Sequence, residues 1–206
     1  MRFFDIIEIL SFYWRGRRIM TEERKRKIKL LADSIRKKHH IIRPDFDLLK
    51  YLVDEESFEI QLKRIEDNTT GLLFVDDNSI IPNSNSHRVI VINQSIEFDK
   101  EFQQKRRFIC AHEYGHFLLH KKDSSEFARR DIKGKTNDEE QEAEYFAYCL
   151  LLPEKLLFGL FKTEATKEAM DSLVKDFQMT YEEVVARLFN VSIKKAKYRL
   201  NELGLN

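Results

Sequence analysis

Residues 106–120 read RRFICAHEYGHFLLH, and the pentapeptide His112-Glu113-Tyr114-Gly115-His116 within them organises the rest of the chain. The apolar run Phe108-Ile109-Cys110-Ala111 leads into it, which predicts a helix from Phe102 to about Lys122 whose approach is buried beneath a cleft. Two histidines four apart lie about one turn, or roughly 6 Å, from each other on one helix face, so both imidazoles can reach one ion. Glu113 follows the first histidine by about 100° of rotation, where its carboxylate can meet a metal-bound water without ligating the metal. Zinc acidifies such a water, a carboxylate takes its proton, and a peptide carbonyl is attacked, so the pattern points to metal-assisted hydrolysis. Five-residue strings of this kind also arise by chance on polar helix faces, so the surrounding sequence has to carry part of the argument. Gly115 admits close approach of another backbone or a substrate.

A catalytic zinc takes three protein ligands and leaves one position open. His120 fails as the third, because eight residues of helix separate it from His112 by about 12 Å. The missing ligand must come from another element, and the next helical stretch, Glu139 to Leu152 before Pro153, offers Glu139, Glu140, Glu142 and Glu144, with Asp138 just before it. We favour Glu142, which shares a face with Tyr145 or Phe146 and Cys149, with Glu139 as the alternative. The other acids fit a solvated helix start, where negative charge is favoured.

Outward from this centre the chain reads as α+β. Thr21 caps a helix with apolar residues Ile28, Leu31 and Ile35, and Phe46, Leu48, Leu49 and Leu52 suggest a second short helix after Pro44. Phe58, Ile60 and Leu62 alternate with polar neighbours, Leu72 to Val75 is a short apolar run, and Val89 to Ile92 is β-branched throughout. These predict a small antiparallel sheet of about three strands, with turn formers at Asp76-Asp77-Asn78 and Pro82 to Ser86. Residues 121–138 read as a surface loop, and 154–206 as helical throughout.

At 206 residues the chain is long enough for one ordinary domain with a core, or for one domain with a small appendage. Thirty-six basic against 35 acidic side chains leave a formal charge of +1, so no global field marks a nucleic-acid or membrane binder. Two cysteines, Cys110 and Cys149, lack the spacing of a disulfide framework or a four-thiolate site, and a reducing cytoplasm is expected. Asp5 and Glu8 break the apolar run of residues 1–19, which is too short and too charged to span a bilayer. That segment reads as an upstream translation extension or an amphipathic appendage.

Residues 177–188 and 189–200 form a tandem repeat of 12 residues, in which Phe177-Gln-Met-Thr180 through Leu188 is echoed by Phe189-Asn-Val-Ser192 through Leu200. Thr180 and Ser192 stand as helix caps, and Lys194, Lys195, Lys197 and Arg199 make the second helix basic. The pattern is similar to a helix-turn-helix, so direct DNA binding enters as an alternative. The simpler reading is a cap that is structural or docks substrate, with Phe177, Leu188, Phe189 and Leu200 in the core.

Taken together, Arg106 to Ala111 running into HEYGH, Leu118-Leu119-His120, Glu140-Gln141-Glu142-Ala143-Glu144-Tyr145-Phe146-Ala147, Leu150 to Pro153 and the strand Val89 to Asn93 resemble the ImmA/IrrE metallopeptidases. The resemblance covers about residues 40–160. It implies a compact gluzincin-like fold in which Glu142 is the third zinc ligand beside His112 and His116, and Glu113 is the general base. Glu144 departs from the family, where asparagine is usual. The resemblance further implies an anti-repressor of a phage or mobile element, cutting a helix-turn-helix repressor. On this reading residues 20–160 are the metallopeptidase domain, and 161–206 a helical C-terminal segment. The competing readings are a non-catalytic regulator that binds DNA or protein, and a metallopeptidase toxin.

Overall fold

A computed structural model describes residues 20–66, 69–76, 81–120 and 137–205. The expectations for residues 1–19, for Asp77 and Asn78, and for the surface loop over 121–136 lie outside the described residues. The remainder is α+β, as expected. Helices α1 (Glu22–Lys38) and α2 (Leu48–Asp54) precede strands β1 (Glu59–Lys63), β2 (Gly71–Val75) and β3 (Arg88–Asn93). Six helices follow: α3 (Phe102–His120), α4 (Asn137–Leu151), α5 (Glu154–Lys162), α6 (Glu164–Phe177), α7 (Tyr181–Phe189) and α8 (Ile193–Leu203).

Local chemistry sets several boundaries. Thr21 caps α1 by accepting from the Arg24 amide, as its sequence predicts, and Asp47 caps α2 through the Lys50 amide. Thr180 and Glu183 form a reciprocal capping box at the start of α7, whereas Ser192 occupies the cap position of α8 without a side-chain bond. Asn93 ends β3 and accepts from the Ser95 amide to start a short 3-10 turn, and its Nδ2 donates to the carbonyls of Thr69 and Ile65.

The sheet has the order β1-β3-β2. The expected antiparallel pairing holds for β2 on β3, where Leu73 faces Ile90, but β1 runs parallel to β3, with Ile60 facing Ile90. β3 takes the centre, paired with β1 on one side and β2 on the other. Val89 to Ile92 is therefore buried on both faces, which explains a continuous apolar run where β1 alternates.

One buried cluster extends from Ile28 on α1 through Ile90, Phe108, Phe146 and Leu152 to Val185, Phe189 and Leu200 near the C-terminus. Arginines tie its ends together. Arg107 on α3 donates to the carbonyls of Phe189, Asn190, Pro44 and Phe46, and Arg36 on α1 donates to those of Leu150 and Arg43. Burial pushes both guanidinium groups down to about 10, and the carbonyl oxygens offset that desolvation.

The C-terminal repeat splits between core and surface. Phe189 and Leu200 are buried, but Phe177 is 65% and Leu188 37% exposed, which corrects their assignment to the core. Phe177 ends α6, a helix on which Met170 is the buried residue, and its ring lies largely in solvent. The basic face of α8 is partly used inside the fold. Lys195 pairs with Glu144 and stands over the Phe108 ring, while Arg199, 1% exposed, donates to Glu202 and the Leu152 carbonyl. Among the described residues no helix is long and apolar enough to cross a membrane.

Candidate metal centre

Helix α3 begins after Asp99, whose side chain accepts from the Glu101 amide and whose carbonyl accepts from Phe102. Its middle is deeply buried: Ala111, Glu113, Tyr114 and His116 are each at most 3% exposed. Tyr114 is held by an edge contact with Phe146 and by its hydroxyl, 3.2 Å from that of Tyr51, which in turn donates to Glu56. These contacts fix the rotation of α3.

That rotation turns His112 and His116 toward α4, with their Nε2 atoms 3.1 Å apart. Glu140, in the first turn of α4, completes the group: its Oε2 lies 3.2 Å from His112 Nε2 and its Oε1 3.2 Å from His116 Nε2. One donor atom from each of the three side chains lies within 4.8 Å of the others. An ion held tetrahedrally by bonds of about 2.1 Å needs donors about 3.4 Å apart, so two imidazoles and a carboxylate at these spacings fit zinc-like coordination. His116 is fully buried and His112 19% exposed, while Glu140 is 42% exposed, so the cluster opens on one side.

Glu142 is elsewhere. Its carboxylate accepts from Arg24 Nε and Nη2 at 2.7 and 2.6 Å, and from His120 Nε2 at 2.9 Å. The structure thus brings Glu140 to the histidine pair, in place of the expected Glu142 or its alternative Glu139. Gly115 shows why. A Cβ there would lie 3.1 Å from the Ala143 carbonyl oxygen and 3.2 Å from its Cα, so α4 crosses α3 at a glycine-alanine contact. Ala143, Phe146, Ala147 and Leu150 are all fully buried and form the inward stripe of α4. Glu140, three residues before Ala143, extends that stripe, whereas Glu142 is about 100° away and faces α1. The glycine and the run of small and apolar residues at helical spacing were the signal that sequence reasoning passed over. Arg24 carried no signal at all, since its partner lies 118 residues away.

Glu113 points to the sheet. It is 3% exposed, and a Cβ placed on Gly71 at the start of β2 would lie 3.2 Å from its Oε1 and 2.5 Å from Ile109 Cγ2. The strand edge therefore passes against the carboxylate at a position where only glycine leaves room.

The chain is 34% identical over 80 residues to uncharacterized immunity region protein 2 of Bacillus phage phi105, a match covering 39% of this chain and 48% of that protein. The chain thus spans about half the length of the curated relative it matches. The profile of the IrrE N-terminal-like domain, a peptidase family, matches residues 55–201, which include both histidines, Glu113, Glu140 and the C-terminal helices. The chain belongs to the IrrE N-terminal-like peptidase family.

Proposed function

We propose that the chain is a zinc-dependent endopeptidase with His112, His116 and Glu140 as ligands and Glu113 as general base. It acts in the cytoplasm on a regulatory protein, a helix-turn-helix repressor of a phage or mobile element. The observation that carries the reading is the convergence of two imidazoles and one carboxylate from adjacent helices, with a buried glutamate one residue after the first histidine. A bound zinc ion would supply Lewis acidity, lowering the pKa of water and polarising the peptide carbonyl.

The chain's own groups do the rest. The Glu113 carboxylate takes a proton from the attacking water at Oε1 or Oε2 and hands it to the leaving amine nitrogen. Because β2 is an edge strand of the sheet and passes Glu113 at Gly71, an extended peptide can pair with that edge by backbone hydrogen bonds, which orients the scissile bond. The immunity-region relative supports a repressor as the substrate. A DNA-binding role for α8 is less well supported, because Lys195 and Arg199 are engaged within the protein.

The test compares wild type with Glu113→Gln on the repressor encoded beside the gene. Cleavage by the wild type and its loss in the variant are expected. Equal cleavage by both would remove Glu113 from the mechanism, and a shift of operator DNA without any cleavage would favour the binding-module reading. Growth arrest that depends on Glu113, with cleavage of many proteins, would favour a toxin.

A further inference from the structure

Glu142 is the hub of a second polar cluster, beside the metal centre but separate from it. Arg24 on α1 engages both carboxylate oxygens with its planar fork, and His120 on α3 donates to Oε2. The cluster thus joins three helices, and its side chains are 36% exposed for Arg24, 18% for Glu142 and 4% for His120. Two contacts lead from it to the candidate ligands. The His120 ring packs on that of His116 with centroids 5.3 Å apart, and Glu142 lies two residues from Glu140 in the opening turns of α4. Arg24 itself lies N-terminal to the family-matched residues 55–201.

A two-pronged guanidinium-carboxylate pair constrains direction as well as distance, so it sets the rotation of the helix that bears the carboxylate. Rotation of α4 is what aims Glu140 at the histidines. We infer that Arg24 is a positioning residue for the metal centre: acting through Glu142 and His120, it holds Glu140 and the His116 ring in register and thereby sets metal affinity. The inference rests on the ligand set proposed above. Its rival is simple anchoring, because α1 is also attached by the Lys29–Glu154 ion pair to α5 and by the buried Ile28, Ala32 and Ile35. Lysine in place of Arg24 would keep the charge but lose the fork.

The experiment measures zinc affinity of the full apo chain by competition with a chelating indicator, for wild type, Arg24→Ala, Arg24→Lys, Lys29→Ala and Glu140→Ala, with helical content checked by circular dichroism. Cobalt(II) substitution reports the geometry of the site through its visible spectrum. Arg24→Ala should bind zinc about 10–100-fold more weakly, the range typical for groups that orient ligands, with an altered cobalt spectrum. Arg24→Lys should fall between it and wild type, and Lys29→Ala should match wild type. Glu142→Gln, neutral and of the same shape, makes the same test should Arg24→Ala not fold. Tight zinc binding by wild type with Arg24→Ala unchanged overturns the positioning role alone, as does an equal loss in Lys29→Ala. A wild type that binds zinc no better than Glu140→Ala overturns the ligand set, and this inference with it.

Discussion

Glu140 Oε1 lies 3.2 Å from His116 Nε2, across the crossing of α3 and α4. The two residues are held there by a glycine on one helix and an alanine on the other. On the proposed ligand set, removing the carboxylate leaves two imidazoles, one short of the three protein ligands of a catalytic zinc. Glu140→Ala should lose zinc affinity by on the order of 100-fold or more, exceeding the loss typical of orienting groups. Metal content after dialysis, read by atomic absorption, checks this. Retention of one equivalent of zinc by Glu140→Ala would exclude it as a ligand.

The same crossing predicts an effect of Gly115→Ala. The added methyl would press on Ala143 and on Phe146 Cδ1 at 3.0 Å, so the helices must part or tilt. We expect a loss of roughly 1–3 kcal/mol, as for overpacked cores, together with weaker zinc binding. In a chain of this size that lowers Tm by roughly 3–10 °C, which calorimetry of the apo protein would resolve. An unchanged Tm would show that α4 does not depend on that contact.

At Gly71 the effect should fall on chemistry. A Cβ 2.5 Å from Ile109 Cγ2 forces that side chain to shift, and at 3.2 Å from Glu113 Oε1 it presses on the carboxylate proposed as the base. Displacing a reacting group by about 1 Å costs on the order of 100-fold in rate, and the shift needed here is smaller, so Gly71→Ala should lower kcat by less than that, by roughly several-fold, while zinc binding persists. Single-turnover cleavage of the repressor at saturating zinc reads the rate and chelator competition reads zinc binding, and an unchanged rate would show that Gly71 does not position Glu113.

Phe177 and Phe189 occupy equivalent places in the 12-residue repeat, yet one is 65% and the other 1% exposed. Phe189→Ala should destabilise by about 3–5 kcal/mol, as for a large buried ring. Phe177→Ala should stay within about 0.5 kcal/mol. Urea unfolding of both variants tests this, and equal losses would put Phe177 in contact with an element of the fold.

Cys110 is fully buried and its thiol is pushed up to about 12 by desolvation; Cys149, 2% exposed, is raised to about 11 for the same reason. Since the thiolate is the reactive form, both are neutral at pH 8 and closed to reagent. Iodoacetamide should leave the native protein unlabelled and modify both cysteines in denaturant, as counted by mass spectrometry. Rapid native labelling of Cys110 would show that α3 opens.

Much of the fold was legible because it rests on local periodicity. The alternation around Ile60, the β-branched run Val89 to Ile92, the caps at Thr21 and Thr180, and the helical spacing on either side of HEYGH all act within a few residues of chain. Pairing was less legible. A strand's alternation says which face is buried, but not whether its neighbour runs parallel, so the parallel pairing of β1 with β3 departs from the antiparallel expectation. The equivalence of Phe177 and Phe189 failed for a related reason: a repeat in sequence fixes similar helices, and burial depends on what lies opposite each one.

His112, Glu113 and His116 could be singled out from sequence because one helix carries all three, and 3.6 residues per turn dictates their mutual geometry. The partner from α4 could not be chosen that way. Glu139, Glu140 and Glu142 differ only in angle around their own helix, and that angle is set by the Gly115–Ala143 contact and by the pull of Arg24 on Glu142. Both come from elements distant in the chain. The sequence by itself determined that two histidines and a glutamate share one helix, and tertiary packing alone decided which glutamate of the next helix faces the histidines.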